Sequence, residues 1–491
     1  MTDFWGYKPI VSTLETVSPS ITNFWDRDAW GFLTLLGALL GALMFANFLK
    51  RKVEFLKHSM IPASVLGGIV ILAVSFTYTM IVGKDETGAY VNLFNEGIFN
   101  GNVTSGLDIL YVITYHCLAL GFAATTLGSS KQALNKRRTA EIFNTGVTTV
   151  STYLLQGVLG IGLTLLFALF AKEVFPAAGI LLPFGFGQGT GQAMNYGGIY
   201  ELDYGFVGGK NFGLTVAAIG FLSASLGGIF RLNRLRKQGV IPDMPKEDVI
   251  LTRQIEEQEE VTPGGGADRF TIQFALIAIS YFASYLIMLA LSALIPSMQA
   301  TIYGFNFLFT VLTATCIRSI VRFLKKTKIG HREYISPYLM ARISGFFFDL
   351  MIVAGFAAIQ LELLADHWFL LLVLGVVGLV STYTYNGLVA KILFPAYKNE
   401  QFLAMYGMLT GTASTGIMLL HEIDPDYQTP AADNLVYQNF PAIIFGFPMM
   451  LLATLAPKEP LKTLVIMLLF FLFMNIILFR RFIFRKKRNK K

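Results

Sequence analysis

Runs of about 20 apolar residues recur along the whole 491-residue chain, and no other feature limits its fold so strongly. Each run can cross roughly 30 Å of hydrocarbon as a helix. They fall at approximately 29–49, 60–82, 107–127, 143–171, 210–230, 270–295, 300–320, 343–365, 367–390, 436–456 and 462–480. Only 14% of the residues are charged, where soluble domains carry about 25%. That is too little to clothe the separate soluble domains this length would otherwise form. A transmembrane barrel would show segments of about 10 residues alternating polar and apolar, which the chain lacks. The expectation is an all-α polytopic membrane protein. The stretch before Trp30, with Asp26, Arg27 and Asp28, does not read as a secretory leader, so the first run is expected to remain as a helix.

The net charge of +8 does not point to nucleic acid, because Lys and Arg cluster at the ends of apolar runs. With the N-terminus outside and each run crossing once, six segments face the cytoplasm: Lys50–Lys57, Lys131–Arg138, Arg231–Arg269, Arg318–Arg342, Lys391–Lys398 and Arg480–Lys491. They hold 32 of the 39 basic residues. That parity requires two part-apolar stretches, 177–205 and 401–432, to enter and leave on one side. Such re-entrant backbone is tolerated only where protein or a water-filled cavity satisfies it. The expected location is the plasma membrane, multi-pass, with the C-terminus cytoplasmic. Cys117 and Cys316 lie in apolar segments and read as small core residues.

Segment 231–268 carries Glu256, Glu257, Glu259 and Glu260 before Pro263-Gly264-Gly265-Gly266, a linker signature. The halves beside it resemble each other. Gly121-Phe122-Ala123-Ala124 returns as Gly355-Phe356-Ala357-Ala358, and Gly185-x-x-x-Gly189-Thr190 as Gly407-x-x-x-Gly411-Thr412. Five crossings separate counterparts, so the halves are inverted, a pattern of secondary transporters. The expected organisation is an extracytoplasmic segment 1–28, a first repeat 29–230, a cytoplasmic linker 231–268, a second repeat 269–457, and an extra helix with a basic tail, 458–491. Each repeat has five transmembrane helices plus one re-entrant hairpin.

Four alternate glycines in Pro183–Asn195 cannot hold a stable helix. Helix N-termini at such a break suit a carboxylate, and unwound carbonyls suit sodium. The candidate substrate-binding residues are therefore Gly187, Gln188, Gly189, Thr190, Gly191 and Gln192, with Thr410, Gly411, Thr412, Ser414 and Thr415 from the second stretch. Asp349, an acid at membrane depth, and Asn195 are the candidate sodium ligands. His116 reads as a hydrogen-bonded core histidine. Asn386, Gln156 and Gln360 read as buried amides joining helices, and Glu201, Asp203, Glu422, Asp424 and Asp426 as residues at the hairpin mouths. Neither glycine cluster has dinucleotide-loop or P-loop spacing, and no enzyme constellation emerges. Gly37-x-x-x-Gly41 reads as a close helix contact.

These features resemble the bacterial sodium/glutamate symporters of the ESS family. The resemblance rests on the hairpins Gly185–Gln192 and Gly407–Gly416, on Ile61-Pro-Ala-Ser-Val-Leu-Gly67-Gly68, and on the inverted halves, and it covers about 29–457. It implies sodium-coupled uptake of L-glutamate or a related small carboxylate, with both re-entrant loops lining the path. Sodium would be the coupling ion and no other cofactor is expected. The expected partners are that solute, sodium and the lipid bilayer, with a second copy of the chain left open. Two departures stand out. Gln188 occupies the place of the histidine in the family's Gly-Gly-His-Gly-Thr hairpin, and the eleventh helix and basic tail are additional. The alternatives are a cation/proton exchanger using Asp349, a passive ion channel, and a protein whose hairpins are structural and whose partner is another protein.

Overall fold

The computed structural model describes residues 27–57, 59–86, 88, 90–99, 105–129, 136–171, 173–240, 268–326, 335–365, 367–425 and 428–483. The glutamate-rich part of the expected linker, most of the N-terminal segment, the end of the basic tail and Asp426 lie outside these residues. The main helices are α1 (Arg27–Lys52), α2 (Ala63–Val82), α3 (Gly106–Gly128), α4 (Lys136–Ala168), α5 (Ala178–Gln188), α6 (Thr190–Tyr204), α7 (Gly209–Lys237), α8 (Arg269–Leu294), α9 (Asn306–Lys326), α10 (Pro337–Ala357), α11 (Trp368–Leu393), α12 (Lys398–Thr410), α13 (Ala413–His421), α14 (Ala431–Tyr437), α15 (Asn439–Leu455) and α16 (Pro460–Leu478).

Ten helices among the described residues are long and apolar enough to cross a bilayer. They coincide with ten of the eleven expected runs. The remaining run, 436–456, is met by α14 and α15, which are bent by 50°. Pro441 stands in the first turn of α15, where its missing N–H is harmless to the new helix and cannot extend the old one. Large apolar side chains cover the outside of the bundle, as a lipid environment requires. The helices differ in depth. In the most apolar stretch of α7, 67% is buried, against 17% in α1, so α7 is central and α1 peripheral. Cys117 is buried as expected, whereas Cys316 is exposed on α9. An apolar position in a span can face lipid as readily as protein, so the core reading of Cys316 was wrong.

Central packing depends on backbones that approach without side chains between them. A Cβ at Gly160 of α4 would overlap the Gly179 carbonyl oxygen of α5, and one at Gly179 would overlap the Gly160 carbonyl. The α6–α7 pair uses the same device at Gly197 and Gly209. Helices α3 and α10 pack closely, with Ser344 donating to the Gly121 carbonyl at 3.0 Å.

Polar side chains tie the helix ends together. At one end Arg138 meets Glu141 at 2.9 Å and Asp433 at 3.3 Å, and Arg480 donates to Asn144 at 3.1 Å. Asn434 joins this group to Tyr397 and Gln401, each at 3.0 Å. Nearby, Arg231 reaches Asn399 at 2.8 Å and Arg236 reaches Glu422 at 3.5 Å. Basic residues from three of the expected clusters thus converge with the ends of α12 and α13. At the other end, Asn211 exchanges two hydrogen bonds with the backbone of Gln360, at 2.6 and 2.8 Å.

The glycine interlock gives a direct test. Gly160→Leu should abolish a monodisperse peak in detergent gel filtration, because neither backbone can retreat and overpacking costs roughly 1–3 kcal/mol or more. Gly162→Ala, at a position with open space around it, should leave the peak unchanged. An intact peak for Gly160→Leu would refute the interlock.

Candidate functional site

Two helix breaks meet at the centre of the bundle. The first lies between α5 and α6, where Gly189 has φ +83°, a conformation that favours glycine. Just before it, a Cβ at Gly187 would collide with the Tyr153 ring, so the chain passes α4 only as glycine. The Tyr153 hydroxyl donates to the Gly187 carbonyl at 2.9 Å, satisfying a backbone group that the break frees. The second break lies between α12 and α13 at Gly411-Thr412. A Cβ at Gly189 would stand 3.6 Å from Cγ2 of Thr412, so the breaks touch.

The limbs on each side of a break run close together. Across the first, the rings of Phe184 and Tyr196 stack at 4.1 Å, and farther out Phe175 and Phe206 stack at 4.7 Å. Across the second, a Cβ at Gly407 would lie 2.8 Å from Cα of Gly416. Tyrosines fasten both pairs to the long helices. Tyr196 and Tyr200 donate to the Met450 and Ala453 carbonyls of α15 at 3.2 and 2.6 Å, and Tyr406 donates to the Ser223 carbonyl of α7 at 2.7 Å.

A cavity of about 140 Å³ opens beside the touching breaks. An interior void of about this size can hold a benzene. Its polar side includes Gly187, Gln188 and Gln192 from the first break, Gly411, Thr412 and Ser414 from the second, Thr149 and Tyr153 from α4, Thr125 from α3 and Asn439 from α15. Phe122, Phe348 and Phe447 are among the residues of its apolar side. No Asp, Glu, Lys, Arg or His belongs to the lining among the described residues. Electrostatics there come from helix ends. Helices α6 and α13 both begin at the breaks, and neither has a side-chain cap on its first amides. Free N–H groups and the positive ends of two helices therefore adjoin a site without fixed charge. Such an arrangement suits an anionic group carrying a short apolar body.

Gln192 is 1% exposed and lines this cavity, yet neither its amide oxygen nor its nitrogen has a partner among the described residues. A buried primary amide with four unused hydrogen-bonding positions is costly unless a ligand or water serves it.

The other expected site residues have different surroundings. Gly189 forms the break itself, and Gly191 packs against Leu118 and Met351. Thr190 turns toward α10, where its hydroxyl lies 3.4 Å from the Met351 carbonyl. Thr410 donates to the Tyr406 carbonyl at 2.6 Å, and the Thr415 hydroxyl lies 3.4 Å from that of Thr412. The two candidate sodium ligands are held elsewhere and by different neighbours. Asp349 lies beside Ser64 of α2, and Asn195 donates to the Gly304 carbonyl at 2.9 Å. Among the described residues no group of three or more His, Cys, Asp or Glu could hold a metal ion. His116 is hydrogen-bonded, as expected, to the Tyr281 hydroxyl at 2.6 Å, but its side chain is exposed.

Thr149 and Tyr153 were missed, although a signal was present. Thr145, Thr148, Thr149, Ser151 and Thr152 crowd hydroxyls into the middle of an apolar run. Between α13 and α14, Asp424 accepts the Thr429 hydroxyl at 2.5 Å and the amides of Gln428 and Thr429, each at 2.8 Å. Burial alone would raise its pKa, but these three hydrogen bonds outweigh burial and hold it below the usual carboxylate range.

Two outcomes follow. Gln192→Leu should keep or slightly raise the melting temperature in detergent, because it removes an unserved amide, while weakening solute binding; a clear loss of stability would show that the amide is structurally paired. Asp424 should stabilise the fold above its unfolded pKa of about 3.9 and lose that contribution as pH falls through its lower folded value. The melting-temperature gap between wild type and Asp424→Asn should therefore be constant near neutrality and close in acid; a gap independent of pH would contradict the assignment.

No family model matches the chain, and no curated protein does.

Proposed function

We propose that the protein is a secondary active transporter that carries a small carboxylate solute, L-glutamate or a relative, together with sodium by alternating access. The observation that carries this reading is the pair of uncapped helix N-termini at one uncharged, centrally buried cavity. A carboxylate placed there would be met by main-chain amides and by the hydroxyls of Thr412 and Ser414, and its hydrocarbon part by the phenylalanines opposite.

In this reading the α5–α6 and α12–α13 pairs are re-entrant hairpins at the interface of two inverted repeats. The stacked Phe175 and Phe206 support the first hairpin by bringing its two outer ends together. The convergence of basic residues at the α12–α13 end supports a cytoplasmic assignment for that end, in the plasma membrane, with the N-terminus outside. A shift of the hairpin-bearing part against the rest would open the cavity to each side in turn.

Uptake into reconstituted vesicles tests the reading with a panel of labelled amino and dicarboxylic acids. Accumulation of a carboxylate should collapse when sodium is replaced by potassium. Thr412→Val should raise the concentration needed for half-maximal uptake by about 10-fold or more, the weight of a hydrogen bond to a charged group, with normal membrane insertion. Equilibration without accumulation would make the protein a channel, and proton flux without solute uptake would make it an exchanger.

A further inference from the structure

Near their midpoints, α4 and α11 carry matching pentapeptides. Thr152-Tyr153-Leu154-Leu155-Gln156 and Thr382-Tyr383-Thr384-Tyr385-Asn386 share a Thr-Tyr-x-x-amide pattern, 230 residues apart. In a helix the Thr and the amide, four residues apart, lie on one face. The structure turns both faces toward each other. Gln156 donates through Nε2 to Thr382 Oγ1 at 2.8 Å, and Asn386 donates through Nδ2 to Thr152 Oγ1 at 3.4 Å. Each helix's amide thus reaches the other helix's threonine.

The second hydrogen bond of each amide fixes its orientation. Gln156 Nε2 also donates to the Leu409 carbonyl at 3.0 Å, and Asn386 Nδ2 to the Thr382 carbonyl at 3.0 Å. A carbonyl only accepts, so the nitrogens are where they are assigned and the oxygens face the other way. Those oxygens, Gln156 Oε1 and Asn386 Oδ1, are buried without a partner among the described residues. The residues are 0% and 2% exposed. Every group named at this seam is neutral, and its two unserved side-chain atoms, Gln156 Oε1 and Asn386 Oδ1, are both oxygen acceptors. The Leu409 carbonyl, in the last turn of α12 where helix carbonyls lack helical partners, takes its partner from Gln156.

We propose that the unserved oxygens of Gln156 and Asn386 hold an alkali cation at this seam. Neutral hard oxygens without a carboxylate suit a monovalent ion and leave a divalent one undercompensated. As the place of the coupling ion, the site rests on the transport reading. Leu409 stands two residues before Gly411 of the cavity wall, so an ion at the seam would steady the end of α12 and with it the second break.

The test needs no solute and no flux. The full-length protein in detergent is titrated with sodium chloride, with lithium, potassium and choline chlorides at equal ionic strength, and thermal unfolding is followed. At least one alkali ion should stabilise it saturably above choline. Asn386→Leu and Gln156→Leu should each weaken the apparent affinity for that ion by at least about tenfold. Asn386→Asp keeps oxygen at the seam and adds a charge, so it should retain or tighten ion binding; this guards against a leucine variant that fails to fold. Equal unfolding in all four salts would mean that water alone serves these oxygens and would overturn the proposal, as would unchanged ion dependence in both leucine variants. Ion-specific stabilisation without carboxylate uptake would overturn the transport reading and leave the site standing.

Discussion

A peptide group left unpaired in hydrocarbon costs several kcal/mol, and this cost governs the centre of the molecule. A chain that interrupts its helices at membrane depth must surround each interruption with protein. Here the wrapping is specific. Tyr153 serves the Gly187 carbonyl and Gln156 serves the Leu409 carbonyl, so α4 supports both breaks at once. Glycines let the elements come close enough for this, at Gly160 and Gly179 between backbones and at Gly187 against a ring. The long apolar helices around them supply the wall, and α7, the most buried of these, stands inside it.

Much of this was legible in the sequence because the bilayer imposes a length. Ten runs of about 20 apolar residues became ten helices. The first break was legible in part: it falls among the alternate glycines Gly185–Gly191, but only Gly189 leaves the helix, while Gly185 and Gly187 continue α5 and Gly191 begins α6; Gly187, Gln188, Gln192, Gly411, Thr412 and Ser414 all reach the cavity. The face that a residue takes just after a break was not legible. Thr190 turns to Met351, a partner 161 residues away that no local pattern announces. The polar wall from α4 was hidden for a different reason. A hydroxyl that bonds back to a carbonyl four residues earlier, as Thr148 does to Asn144 at 2.7 Å, passes unnoticed in an apolar run. The paired Thr-Tyr-x-x-amide stretches were visible in the letters, but their meaning required knowing that α4 and α11 cross there.

The placement of charge separates the two kinds of surface in the protein. Ion pairs such as Arg138–Asp433 and Arg236–Glu422 belong to one end of the bundle, where water competes for them and each contributes little. Among the described residues the cavity lining has no such groups, and the nearest fixed polarity is that of oriented main-chain dipoles. These cost nothing to desolvate at the moment a ligand arrives, because folding has already placed them.

Under the transport proposal, that economy bears on the half of the cycle in which nothing is bound. A lysine or arginine lining the pocket would hold an anion well, but once vacated it would have to travel back through the bilayer as a naked cation, dragged or opposed by the membrane voltage. A pocket built from amides and hydroxyls makes that journey electrically blank, so in a carrier of this design the voltage would act on the cargo and not on the empty vessel.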